Sequence, residues 1–426
     1  MADLNNPDDV RLTKLNVIPL QGTGNPVDIT GIMLEMHIYE DMYKPFVTGT
    51  IAVYDTIGFR SKLPINGEEY LEVSWETPGG DVQEHEFYIY KISGAGAVGD
   101  NGQSYILSFA SHEMMANAGT TMSYGFDGEL LSDMATKIYE ESIKADTKST
   151  IEKVFDSEPT LTPRRMSFPA WSPAKIIREM TKTAQSAAHP TGADYKFWED
   201  LQGFHFRSIQ SLIFDIEPIK DSEQRERLHW TPNNSGINLS AMNQAIEHFN
   251  ILNSGDTVKK LTNGTLASRM INFNPVTGAV ENIESDVEKV FAEIGSMEAE
   301  LPFTAEAKAA LMKPASFLKL HINDASEAFP SGAELFSQTQ DVQNGLFGNV
   351  QIELQLPGNS NRKIGQIAEL RLPQNGARET EGLQLDRQLS GNVMITAINH
   401  AFVTGSKYKQ IIKVVKDSSF EPMEPI

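Results

Sequence analysis

From Ile32 to Thr77 the chain alternates apolar and polar side chains in three short segments separated by proline and glycine. Leu34, Met36 and Ile38 alternate in the first segment. Val47–Tyr54 follows Lys44-Pro45, and Tyr70–Trp75 follows the turn at Pro64–Gly67. A period of two places every second side chain on one face, which a strand can bury and a helix cannot. Three such segments in succession, parted by turn residues, predict consecutive strands in the wall of a barrel or sandwich. No side chains in the stretch have catalytic spacing.

Strand signals continue to about residue 110. The last two, Phe87–Ile92 and Ser104–Phe109, flank Gly94-Ala-Gly-Ala-Val-Gly-Asp-Asn-Gly102, which contains a literal G-x-G-x-x-G. A dinucleotide loop requires its third glycine to open a helix whose N–H groups meet the pyrophosphate. Here another strand follows, so the expectation is a flexible hairpin loop and no cofactor. Residues 1–10 read as a polar arm ordered only on a partner.

From Ser111 the period changes. Asp127-Gly128-Glu129 reads as the cap of a helix through Leu130, Leu131, Met134, Ile138 and Tyr139. A second helix has Ser172 at the N-cap and Pro173 at its first position, then Ile176, Ile177 and Met180. Asp156–Arg165 reads as a linker or strand edge. Tyr195–Glu199 and Phe204–Ile209, around Gly203, read as a hairpin.

The charged run Lys220–Arg227 marks a boundary within 219–235, and strands resume near Ile237, at Ile251–Ser254 and at Ala267–Phe273. Glu281–Glu300 reads as an acidic amphipathic helix. Ile283, Val287, Val290, Phe291, Ile294 and Met297 face one way, opposite Glu284, Glu288 and Glu298. Such a helix packs on its own domain or docks a partner. A weaker helix is expected at Ala333–Gln343. Strands are expected at Val350–Leu356, Ile364–Leu372, Val393–Asn399 and Tyr408–Val415, then a proline-containing tail after Phe420.

The fold class is therefore α+β, mainly β, in three parts: a β domain (1–110), a small α+β domain (111–218), and a second β domain (219–426) with a helical insertion at about 281–345. The closing hairpin echoes the one that ends the first β domain. Tyr88–Ile92 sets against Met394–Ile398, and Ser104–Phe109 against Lys407–Ile412, each pair parted by a glycine-containing loop. The echo fits a duplication, and it also fits the general likeness of β-hairpins.

Composition narrows function more than it specifies it. The net charge is −21, from 57 acidic and 36 basic residues. Such a surface repels phosphate, so tight nucleic-acid binding is not expected. With no cysteine in the sequence, disulfides, thiolate zinc sites and thiol nucleophiles are absent, which fits assembly in a reducing cytoplasm. No apolar run reaches the roughly 18 residues of a membrane helix, and the acidic N-terminus does not read as a secretory signal. The nine histidines are scattered, with no H-x-x-x-H pair, and G-x-S-x-G, Walker and EF-hand patterns are missing. No catalytic, cofactor-binding or metal-ligating residue is assigned. A glycosidase carboxylate pair cannot be singled out among 57 acids. Trp198, Phe204 and Phe206 form either a carbohydrate-stacking platform or the core of their hairpin, and their alternation favours core.

Taken together, Phe46–Asp55 followed by Lys62–Val73 (with "PI-x-G-x-E"), Phe168–Met180 (FPAWSPAKIIREM), Tyr195–Leu212 (with "GFHFRS") and Leu389–Tyr408 resemble the baseplate hub proteins of contractile-tailed bacteriophages. The similarity touches most of the chain in patches and leaves 255–345 unmatched. It implies two similar β-barrel tube domains per subunit and a homotrimer with a pseudo-sixfold ring. Such a ring joins a hexameric tail tube, or tube-adaptor protein, to a trimeric central spike, contacts wedge or other baseplate proteins, and leaves a channel for DNA. The location implied is the virion tail baseplate, assembled in the host cytoplasm, with a structural and not an enzymatic role and without membrane insertion. A cell-wall glycosidase or a carbohydrate-binding β protein is the alternative.

Overall fold

The computed structural model describes residues 6–19, 25–62, 67, 69–78, 80, 82–98, 102–145, 147, 149–214, 225–230, 243–313, 317–322, 333–374, 384–404 and 407–421. The strand expected near Ile237, most of the charged run from Lys220, most of the Pro64–Gly67 turn and the end of the C-terminal tail lie outside them.

The first part of the chain contributes β1 (Arg11–Ile18), β2 (Val27–Asp28), β3 (Met33–Asp41), β4 (Thr48–Asp55), β5 (Glu69–Glu76), β6 (Gln83–Val98) and β7 (Gly102–Ala110). The three segments of Ile32–Thr77 are β3, β4 and β5. Their alternation is real, with one correction: Met36 and Ile38 are buried but Leu34 is 46% exposed. A β-bulge between Met33 and Glu35 breaks the two-residue period and turns Met33 inward in place of Leu34. The glycine-rich connector is also not a loop. Strand β6 continues through it, pairing Gly96 with Ser104 and Val98 with Gly102, so the hairpin is an extended arm. Gly94, at φ +63°, lies in the bulge that lets β6 take this path. Residues 8–10, expected to order only on a partner, dock on the chain's own β-hairpin: Tyr408 N–H donates to the Asp8 carbonyl at 2.8 Å, and Val10 is buried.

The middle part has β8 (Met122–Leu130), β9 (Val154–Ser157), β10 (Pro163–Trp171), β11 (Tyr195–Asp200) and β12 (Gly203–Ser208). Asp127-Gly128-Glu129 does not cap a helix. These residues lie in β8, held there by pairing with β10, and the helix starts at Leu131. The helix Pro173–Thr181 forms as expected and buries Ile176, Ile177 and Met180. Its Ser172 side chain makes no capping bond; Asn117 Oδ1 accepts from Ala174 N at 2.8 Å instead. The hairpin β11–β12 is antiparallel, and β9 joins it in parallel.

The last part supplies β13 (Arg227–Trp230), β14 (Ala245–Ile246), β15 (His248–Ser254), β16 (Ala267–Phe273), β17 (Val280–Asp286), β18 (Leu318–Ile322), β19 (Val350–Pro357), β20 (Ile367–Arg371), β21 (Gly391–Val403) and β22 (Lys407–Lys416). The continuous helix expected over Glu281–Glu300 is wrong. Its first third is β17, paired with β16, and a helix occupies only Val287–Glu293. Asp286 sets that boundary by accepting a hydrogen bond from Lys289 N at 2.9 Å. The helix buries Val287 and Val290 against its own unit. The helix expected from Ala333 extends to Phe347.

Among the described residues the class is mainly β, with 49% strand against 21% helix, but separate closed barrels do not form. Strands from both ends of the chain share one 14-stranded sheet. Within it a five-strand unit occurs twice. The order β3-β4-β7-β6-β5 is repeated as β15-β19-β22-β21-β20, antiparallel at every step in both copies. Even the rows across the strands correspond. Tyr70, Tyr88, Ala110, Thr48 and Tyr39 line up across the first unit, as Ile367, Met394, Val415, Gln351 and Asn253 do across the second. Both hairpins carry a bulge at the matching place, between Ile89 and Lys91 and between Ile395 and Ala397.

Four buried clusters underlie this architecture: one beneath each five-strand unit, one inside the middle part, and a small one around Leu266, Val290 and Leu346.

Candidate assembly surface

The two β units meet along one strand pair. In the second unit β20 covers β21 only from Gly391 to Met394, so the far half of β21 projects past it. There β3 of the first unit takes the free edge, antiparallel, from Ala397↔Asp41 to Val403↔Glu35. Backbone hydrogen bonding satisfies both edges at once.

A buried polar network locks this joint. His400 on β21 bonds Glu40 on β3 through Nε2 at 2.5 Å and the Tyr408 hydroxyl through Nδ1 at 2.7 Å. Gln410 donates to Tyr408 at 2.9 Å and accepts from Arg362 at 2.7 Å. Burial raises the pKa of Glu40, against the opposing pull of His400. Phe402 stacks on Tyr408, with centroids 4.6 Å apart. Outside the network, His37 bonds Asn399 Oδ1 at 3.1 Å across the same strand pair.

A second network ties the middle part to the first unit. Lys153 donates to Glu113 at 2.7 Å and to Glu199 at 2.5 Å. Glu199 also accepts from Val47 N–H at 2.8 Å and from the Ser111 hydroxyl at 2.7 Å. Burial pushes the Glu199 carboxyl up to about 7, against the pull of Lys153. Burial alone would lower Lys153; its two carboxylates outweigh that and raise it. The cavity beside Glu199 has a volume of about 10 Å³, room for at most one water and not for a sugar. A larger cavity of about 530 Å³ lies between Asp256–Thr265 and the helix ending at Phe347. It contains Lys260, which burial lowers to about 8.

The aromatic platform does not exist. Trp198, Phe204 and Phe206 are each no more than 1% exposed. Phe204 and Phe206 belong to the core of the middle part and Trp198 to the core of the second β unit. Trp198 stacks on His205, centroids 4.8 Å apart. Among the described residues no three His, Asp or Glu side chains converge as a metal set, and no helix is long and apolar enough to cross a membrane. Sequence reasoning missed the joint residues. Glu40 and His400 are separated by almost the whole chain, and neither has a local signature.

Within the two five-strand units, two strand edges remain open among the described residues. Beyond Tyr90, β6 pairs only with β7, and Gly94–Val98 are exposed. Strand β15 pairs only with β19, and His248, Asn250, Ile251, Leu252 and Ser254 are exposed.

The fold as a whole is similar to that of solved structures. A tail protein from Neisseria meningitidis superposes with a TM-score of 0.52 at 11% identity, covering 96% of both chains. The 43 kDa tail protein of prophage MuSo2 from Shewanella oneidensis gives 0.54 at 9% identity, covering 95% of this chain and 99% of that one. The fold is that of phage tail proteins. The tail-protein fold also recurs in a chain of the Francisella PdpA–VgrG complex, with a TM-score of 0.50 at 9% identity; this chain is covered completely but spans only 55% of that one. No family model matches the sequence, and no curated protein matches it significantly.

Proposed function

We propose that the chain is the structural hub of a contractile tail. Three copies form a pseudo-sixfold ring that joins a hexameric tube, or its adaptor, to a trimeric central spike, in contact with wedge or other baseplate proteins. The observation that carries this reading is the five-strand unit present twice in one chain. Two similar units in each of three subunits present six similar positions on one face and three on the other, which matches sixfold to threefold symmetry. The units are the tube domains, within the divisions 1–110 and 219–426, and the α+β part at 111–218 sits outside the ring.

The net charge of −21 supports a channel through which DNA passes without sticking. The role is structural, in a virion tail baseplate assembled in the host cytoplasm. Light scattering and axial projection images of the purified chain test this. Three chains with six densities around a hole are expected; a monomer with no ring refutes it.

A further inference from the structure

We infer that β15 of one subunit pairs antiparallel with the outer half of β6 of the next, repeating between subunits the joint that β3 and β21 make within the chain. This rests on the ring reading above and specifies the surface that closes the ring.

The argument is one of equivalence. In the repeated unit β21 corresponds to β6, and β3 corresponds to β15. The far half of β21 is covered by the first strand of the other unit. The far half of β6 is uncovered among the described residues, and so is the outer edge of β15. Each chain thus contains one satisfied joint and the two halves of a second. The two free halves lie on different units, each away from the β3–β21 pair that joins those units, so head-to-tail neighbours satisfy them. Three chains then alternate three internal and three external joints, and the heterologous contact closes.

The chemistry of the edges agrees. Natural sheets blunt open edges with lysine, proline or inward charge. The open part of β6 carries one lysine, Lys91, at its start, and each strand has a bulge, but Ser93–Val98 (SGAGAV) and Phe249–Ser254 (FNILNS) contain no lysine, proline or charge. Apart from the bulges at Gly94 and between Ile251 and Asn253, both strands already hold extended, sheet-paired backbones, so pairing them requires little ordering.

The register follows from the matched rows. Ser93 lies two residues past the bulge of β6, as Asn399 does past that of β21. Asn253 ends the row Met394–Val415–Gln351 as Tyr39 ends Tyr88–Ala110–Thr48. Because Asn399 faces Tyr39, Ser93 faces Asn253 of the neighbouring copy. Beyond the second bulge of β6, Ala97 faces Phe249.

The absence of native cysteine makes disulfide trapping free of background. Directly opposed residues in antiparallel strands have Cα atoms roughly 4.5–5.5 Å apart, within disulfide range. The double variant Ser93→Cys/Asn253→Cys, oxidised as the full-length chain, is expected to shift from monomer to covalent trimer on a non-reducing denaturing gel. Ser93→Cys/Phe249→Cys, out of register, is expected to stay monomeric. Tyr39→Cys/Asn399→Cys, at the internal joint, should close within one chain and establishes that this register position can be bridged. Light scattering on the same samples before oxidation separates the two ideas. A trimer that cross-links equally in and out of register, or not in register at all, overturns this pairing and leaves the ring. A monomer overturns both.

Discussion

His205 gives the fold a measurable pH dependence. Its ring lies between Asp200, 2.9 Å from Nε2, and Asp156, 3.5 Å from Nδ1, and stacks on buried Trp198. Burial alone would lower its pKa; the hydrogen bonds and charges of Asp156 and Asp200 outweigh that and hold it at about 9, against 6.5 for a free imidazole. At about 1.4 kcal/mol for each tenfold change in proton affinity, the displacement is worth about 3 kcal/mol. The folded pKa is the raised one. The contribution is therefore complete below pH 6.5, where histidine in the unfolded chain is also protonated, and is lost as pH rises through about 9. Urea denaturation followed by tryptophan fluorescence across that range should show the middle part losing about 3 kcal/mol. His205→Gln, which cannot titrate, should remove most of this slope while starting from a lower stability at neutral pH. Equal slopes in both proteins would refute the assignment.

Two further perturbations test the packing around the joints. In Gly49→Ala the new Cβ would lie 2.1 Å from Phe109 Cζ and 2.4 Å from the His37 carbonyl oxygen. Backbone and a core ring must both move, and thermal denaturation should show a loss of about 1–3 kcal/mol. Glu199→Ala leaves Val47 N–H and the Ser111 hydroxyl without their acceptor and Lys153 with one carboxylate of two. A loss of about 3–5 kcal/mol is expected, with limited proteolysis falling first between the first β unit and the middle part; unchanged protease resistance would show that Glu199 does not hold them together.

The sequence by itself determined most of the local structure. Period-two alternation located β4, β5, β7, β19 and β22, because half-buried strands must alternate wherever one face meets a core. The Ser172-Pro173 signal located the start of its helix, and the alternation of Trp198, Phe204 and Phe206 correctly favoured hairpin core over a binding surface. Bulges defeated the same reasoning at Leu34, since one extra residue inverts the faces and leaves no mark in composition. Pairing with a distant strand defeated it at Asp127 and over Val280–Asp286, where a neighbour's free backbone groups overrode a helical pattern.

The echo between the two closing hairpins was legible, but its meaning was not. Only the tertiary structure showed five strands in the same order twice, with matching rows and bulges, fused through β3 and β21. Side-chain periodicity fixes which face of a strand is buried and so constrains its register, but a period of two is common to every half-buried strand and does not say which strands, hundreds of residues apart, lie side by side. For the same reason the open edges that the two units carry, on β6 and β15, are visible only once the neighbours of the other strands in those units are known.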